Sequence, residues 1–200
     1  MTGLSTARFR VDMPGAERRH PWLSYLFDCY ALVDASVAEA LEEAAREGGQ
    51  PGCAKGCGNC CHQVIPVTPL EAAGLRWYVQ EEMTEKTRAA LMQRPEKIGP
   101  GGGRRCRFLL GGSCAVYPVR PVACRRYLVL GETCAPGEDP TVTRPEQVLK
   151  PSREKMNAAY AATLPYYTAL GEQTPLPEEA FAFMTARTVA LEALGLDILK

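Results

Sequence analysis

Cys53-Ala-Lys-Gly-Cys57-Gly-Asn-Cys60-Cys61-His62 decides how this 200-residue chain is read. It is too irregular for a helical or a strand period, and it places four cysteines in nine residues. Spacings of three and two let a turn fold back so that several thiolates converge on one centre, which is how metal loops are built. Four further cysteines, Cys106, Cys114, Cys124 and Cys134, follow at longer spacing. Eight of the nine cysteines thus lie between residues 53 and 134 in two groups of four, and the simplest count is two tetrads.

Within the first group Cys53, Cys57 and Cys60 form a tripod on one centre. Cys60 and Cys61 are neighbours, and in an extended segment neighbouring side chains point to opposite sides. Cys61 is therefore expected to turn toward a second centre or toward Cys106, Cys114, Cys124 and Cys134. A zinc ribbon offers two Cys-x2-Cys knuckles, and here only Cys57-x2-Cys60 qualifies. The balance leans to an iron–sulfur cluster, of the [4Fe–4S] kind, with zinc as the alternative. The same x3, x2 tripod occurs in radical S-adenosylmethionine enzymes, but the helical sequence that follows lacks the repeated strands of their barrel.

Outward from the cluster, Trp22 to Glu47 repeats apolar residues at three and four and stops at Gly48-Gly49, a long amphipathic helix. Thr68-Pro69-Leu70-Glu71 reads as a capping box opening a helix to about Glu82, after a short extended piece at Val64–Val67. A further helix from Thr84 ends in the glycine-rich linker at 98–103. Residues 107–110 and 114–117 flank Gly111-Gly112 as a small hairpin, and Pro121 starts one helical turn through Arg126. From Ser152 onward two more helices are expected, one broken near Pro165 and one from Pro177 to about Leu194. The expectation is a mainly α protein, one domain over 1–200, with helices around an irregular cysteine-rich centre at 53–134 and at most a small β-hairpin.

Composition narrows the function. Apolar residues are 46% and charged residues 23%, so a packed core is expected rather than a disordered tail. Basic and acidic residues balance at 23 each, which argues against a nucleic-acid partner. There is no apolar leader and no membrane-spanning run, so no membrane partner is expected, and a reducing cytoplasm suits clustered thiols that bind metal. Cys29 falls inside the first long helix beside its apolar stripe, where it reads as core. His62 could ligate or donate to a thiolate.

Between Gly99 and Gly131 lie Arg104, Arg105, Arg107, Arg120, Arg125 and Arg126 with no acidic residue. A tetrathiolate centre is anionic, and Arg120 and Arg125 are expected to offset that charge from beside the metal. The sharper alternative is an anionic ligand bound there. Tyr117 and Tyr127 are expected to pack the hairpin.

The first motif together with Cys114-Ala-Val-Tyr117-Pro-Val-Arg120-Pro121-Val-Ala-Cys124-Arg125-Arg-Tyr127 resembles a cysteine-cluster family of zinc- or iron-chelating domains. The pattern Cys-x2-Tyr-x2-Arg-Pro-x2-Cys-Arg is its more specific half, and the resemblance covers residues 53 to 134. It implies metal chelation. A similar cluster in flagellin lysine N-methylase adds methyl transfer to a protein lysine as an alternative, although no Gly-rich loop between a strand and a helix marks a methyl-donor site. A zinc-stapled module for a protein partner, or a centre that receives a small molecule, completes the range.

Overall fold

A computed structural model describes residues 6–54, 56–93, 105–135 and 137–195. The glycine-rich linker expected at 98–103 lies outside them. A short helix, Pro14–Arg19 (α1), leads into the long helix Trp22–Arg46 (α2), as the periodicity predicts. Leu23, Leu26, Phe27, Tyr30, Val33 and Val37 form one buried stripe along α2, and Cys29 joins it at 1% exposure. Burial pushes the Cys29 thiol well up, so this cysteine is a small neutral hydrophobe of the core. The helix ends where Gly48 adopts a φ of +85°, a left-handed turn that lets Gly49 N–H reach back to Ala44 O at 2.8 Å.

After the irregular loop and a tight turn at Asn59–His62 comes a short strand, Pro66–Val67 (β1), then Pro69–Trp77 (α3), which widens into a π-turn over Tyr78–Glu82. The capping box forms as read. Thr68 Oγ1 accepts from Glu71 N at 3.3 Å and Glu71 Oε2 accepts from Thr68 N at 2.8 Å. Thr84 caps the next helix, Glu85–Met92 (α4). Leu109–Leu110 (β2) and Ser113–Cys114 (β3) pair as an antiparallel hairpin, with Leu109 opposite Cys114. Gly111 and Gly112 both have positive φ, which a two-residue turn of this kind requires.

Val122–Arg126 (α5), Pro140–Thr143 (α6), Arg153–Ala161 (α7), Leu164–Ala169 (α8) and Ala180–Thr185 (α9) complete the helices of the described residues. The fold is mainly α, with α7 and α5 packed on α2. No described helix is long and apolar enough to cross a membrane.

The last expected helix is shorter than its pattern. It stops at Thr185, and Val189–Ala190 (β4) pairs antiparallel with β1, Val67 opposite Val189. Leu191 N extends the pairing to Ile65 O at 2.8 Å. Thr188 and Val189 are β-branched and weak helix formers, and the open edge of β1 offers their backbone a ladder instead.

Two contacts hold the cysteine-bearing loops in place. Arg125, on α5, is 5% exposed and reaches α2, where Nη1 meets Asp34 Oδ2 at 2.6 Å and the guanidinium lies 3.9 Å over the Tyr30 ring. Its other donors go to Pro118 O and Arg120 O, at 2.5 and 2.9 Å. Farther along, residues 50–52 pair with 129–131. Gly52 N donates to Val129 O at 2.7 Å, Gly131 N to Gln50 O at 2.6 Å, and Pro51 bridges Leu130. A Cβ on Gly52 would stand 2.6 Å from Glu132 O and 2.8 Å from Gly131 O, so the approach depends on glycine.

Asp34→Ala should therefore destabilise the protein by about 3 kcal/mol in denaturant titration, because it leaves the buried Arg125 charge without its carboxylate. Asp34→Asn, which keeps an acceptor for Nη1, should cost less. Gly52→Ala should cost about 1–3 kcal/mol, since two backbone carbonyls rather than a flexible side chain must give way. A fully stable Gly52→Ala protein would mean that residues 50–52 do not pack on 129–132 as described.

Candidate metal centre

Residues 59–62 form a 3-10 turn, closed by Cys61 N to Gly58 O at 3.0 Å and Gln63 N to Cys60 O at 3.1 Å. This corrects the expectation that Cys60 and Cys61 point to opposite sides. The backbone is wound rather than extended, so the two thiols share one side. The Cys61 thiol donates to Cys60, which lowers Cys60 to about 7 and raises Cys61. The turn is tied at both ends. Cys106 N donates to Cys61 O at 2.6 Å, and the Asn59 amide donates to Cys134 O.

Those ties sort the thiols differently from their order in the chain. Cys53 feels Cys57, Cys134 and Cys60 as electrostatic neighbours, and Cys134 in turn feels Cys57. Cys61 feels Cys106 and Cys124, while Cys124 feels Cys106, Cys60 and Cys114. Cys134, last in sequence, lies with the first group; Cys61 lies with Cys106, Cys114 and Cys124. Cys60 is the junction, felt by Cys53 on one side and by Cys114 and Cys124 on the other.

All nine cysteines are free thiols. Among the described residues no three His, Cys, Asp or Glu side chains are arranged to hold a metal ion. The donor set nevertheless fits one. Burial raises the Cys53, Cys114, Cys124 and Cys134 thiols, so each gains from a cation that stabilises its thiolate. Backbone amides already point at sulfur. Val129 N donates to Cys53 Sγ at 3.4 Å and the Val116 amide to Cys114, the kind of hydrogen bond that supports a metal-bound thiolate.

The two arginines divide their work. Arg120, extended at φ −58° and ψ 140° before Pro121, stacks 4.5 Å over the Tyr117 ring. Its charge pulls Cys60, Cys114 and Cys124 toward the thiolate, and its buried Nε has no hydrogen-bond partner among the described residues. Arg125 departs from the sequence expectation. It is spent on Asp34, two carbonyls and Tyr30, and among the clustered thiols it is a lesser influence on Cys114. Sequence could not supply its partner, which lies 91 residues away.

Other candidates fall as follows. His62 is exposed, and its Nε2 accepts from Arg105 Nε at 3.2 Å. Tyr117 is 60% exposed and covered by Arg120, so it does not pack the hairpin as expected. Tyr127 accepts a hydrogen bond from Gln63 Nε2 at 3.1 Å and lines a cavity of about 330 Å³ that opens beside Cys60 and Cys124. Glu71 is a residue whose second role the motif did not reveal. Beyond the capping box, its buried Oε1 accepts from Val122 N at 2.6 Å and so anchors the first turn of α5. Asn59 likewise carried no signal, being one polar residue in a loop.

No curated protein and no solved structure matches the chain. Residues 52–148 match the model of the family CxxCxxCC, described as "putative zinc- or iron-chelating domain". The matched span takes in every cysteine of both thiol neighbourhoods together with Arg120 and Arg125. It supports metal binding and leaves zinc and iron both open. Over residues 52–148, just under half of its length, the chain is thus similar to the CxxCxxCC family, whose domains are described as zinc- or iron-chelating.

Proposed function

We propose that this protein holds an iron–sulfur cluster on thiolates drawn from Cys53, Cys57, Cys60, Cys61, Cys106, Cys114, Cys124 and Cys134, and that the centre serves a redox or substrate-binding role. The observation that carries the reading is Cys60, a thiol of lowered proton affinity at the junction of two groups that together exceed what one tetrahedral ion takes. Surplus, adjacent thiolates suit a polynuclear centre. The x3, x2 tripod without a second Cys-x2-Cys knuckle favours iron and sulfide over a zinc ribbon. When bound, such a cluster supplies electron transfer or an iron position open to a ligand.

This chain's own residues prepare the site. Val129 N and the Val116 amide donate to sulfur, which stabilises thiolate against protonation. Arg120 supplies a partly desolvated positive charge to three of the thiols. Arg125 positions α5, and with it Cys124, against α2.

Protein purified without oxygen from iron-replete cells should be coloured and should contain acid-labile sulfide. Colourless protein with stoichiometric zinc would replace the reading with a zinc-stapled module. Cys57→Ser should lose metal and much of the folded signal in circular dichroism, because metal-binding free energy is folding free energy at such a site. Cys29→Ser should keep its metal and lose only about 1–3 kcal/mol, the cost of a buried hydroxyl. Equal metal loss from both variants would place Cys29 among the ligands.

A further inference from the structure

The cavity beside Cys60 and Cys124 is at the lower end of the size range of small-molecule sites. Its walls are of two kinds. Ile65, Pro66, Val148, Leu149 and Pro151 make an apolar side, with Ile65 and Leu149 buried, and Val64 stands at the rim 74% exposed. The same lining carries Arg126, Lys150 and Tyr127.

No Asp or Glu lines this cavity, and neither Arg126 nor Lys150 is in an ion pair among the described residues. Arg126 lies by the Phe181 ring, 6.0 Å from its guanidinium carbon, and its charge is felt by Tyr160. The Tyr127 hydroxyl accepts from Gln63, and its own proton has no acceptor among the described residues. Burial keeps Tyr127 protonated. Asp139, behind Gln63, is occupied. Its Oδ1 accepts from Gln63 Nε2 at 3.0 Å, Thr141 N at 3.0 Å and Thr141 Oγ1 at 2.6 Å. Two cations and one hydroxyl proton therefore line a space with no carboxylate in its walls, in a chain whose charges otherwise balance.

We propose that this cavity is a binding site for a small carboxylate with a short apolar body, its head on Arg126, Lys150 and Tyr127 and its body against Ile65, Leu149 and Val148. The apolar wall selects a carbon chain over a bare oxyanion, since inorganic phosphate would leave that wall wet. The thiols of Cys60 and Cys124 form part of the same lining, so the bound molecule lies at the edge of the metal centre. That last clause rests on the cluster reading; the cavity and its charges do not.

The test uses the full chain purified anaerobically with its metal, titrated calorimetrically with hexanoate, hexylammonium and inorganic phosphate. Hexanoate should bind, hexylammonium should not, and phosphate should bind more weakly. Arg126→Gln and Lys150→Gln should each weaken hexanoate about tenfold, the loss of one charge-assisted contact, and Tyr127→Phe several-fold. Val64→Asp, at an exposed rim position that folding tolerates, should weaken it as well by placing a like charge at the mouth of the cavity. Metal content, assayed on each variant, should not change. Hexanoate affinity unaltered in the Arg126→Gln/Lys150→Gln double variant would overturn the assignment, as would tighter binding of phosphate or equal binding of hexylammonium. Zinc or no metal in a protein that still binds hexanoate through Arg126 would defeat the iron–sulfur reading and leave the carboxylate site standing.

Discussion

The buried pair between Arg125 and Asp34 is the constraint from which the rest of the centre follows. A guanidinium at 5% exposure is tolerable only with a carboxylate and carbonyl oxygens around it, and α2 provides the carboxylate. Because Tyr30 and Asp34 sit one turn apart on α2, the guanidinium can stack on one while it pairs with the other. Its remaining donors hold Pro118 O and Arg120 O, so one side chain positions the segment between Cys114 and Cys124 on the long helix. Glu71 holds the same segment from the other side through Val122 N. Burial raises the Glu71 carboxyl, and the hydrogen bonds its two oxygens accept from Thr68 N and Val122 N offset part of that cost.

The long helix is thus more than a core element. Its apolar stripe organises the helical part of the molecule, and a polar position at the margin of that stripe orients the loops that carry thiols. The loop at 50–53 is positioned independently, by backbone pairing with 129–131 and by Thr133 Oγ1 donating to Gly52 O at 2.9 Å. Cys53 and Cys134 become neighbours through that pairing. The metal centre is therefore assembled from two docking events, one made by side chains and one by backbone, and they meet at the Asn59–His62 turn.

Charge is arranged with similar economy. The neutral whole hides a basic stretch whose members have separate tasks: Arg125 is structural, Arg120 faces sulfur, Arg105 meets His62, and Arg126 looks into the cavity. Arg125 and Arg126 diverge because α5 winds neighbouring residues to different sides, while Arg105 and Arg120 lie outside that helix. On the two proposals above, compensation of thiolate charge and recruitment of an anion, rivals when only the sequence is considered, fall to different residues.

By itself the sequence determined the helix Trp22–Arg46, the capping box at Thr68–Glu71, the glycine hairpin, the chelating character of the cysteine region and the core role of Cys29. Each rests on local period, on turn chemistry or on residue spacing, which do not depend on distant partners. Tertiary structure decided that Cys134 joins Cys53 and Cys57, that Cys60 and Cys61 share a side, and that Arg125 serves Asp34. It also turned residues 189–190 from helix into strand, because β1 had an open edge to satisfy. The physical reason is common to all of these. Buried charges and backbone groups must find partners, those partners lie 91 residues away for Arg125 and Asp34 and farther still for β1 and β4, and which of several chemically equivalent cysteines or arginines meets which partner is set by packing rather than by spacing.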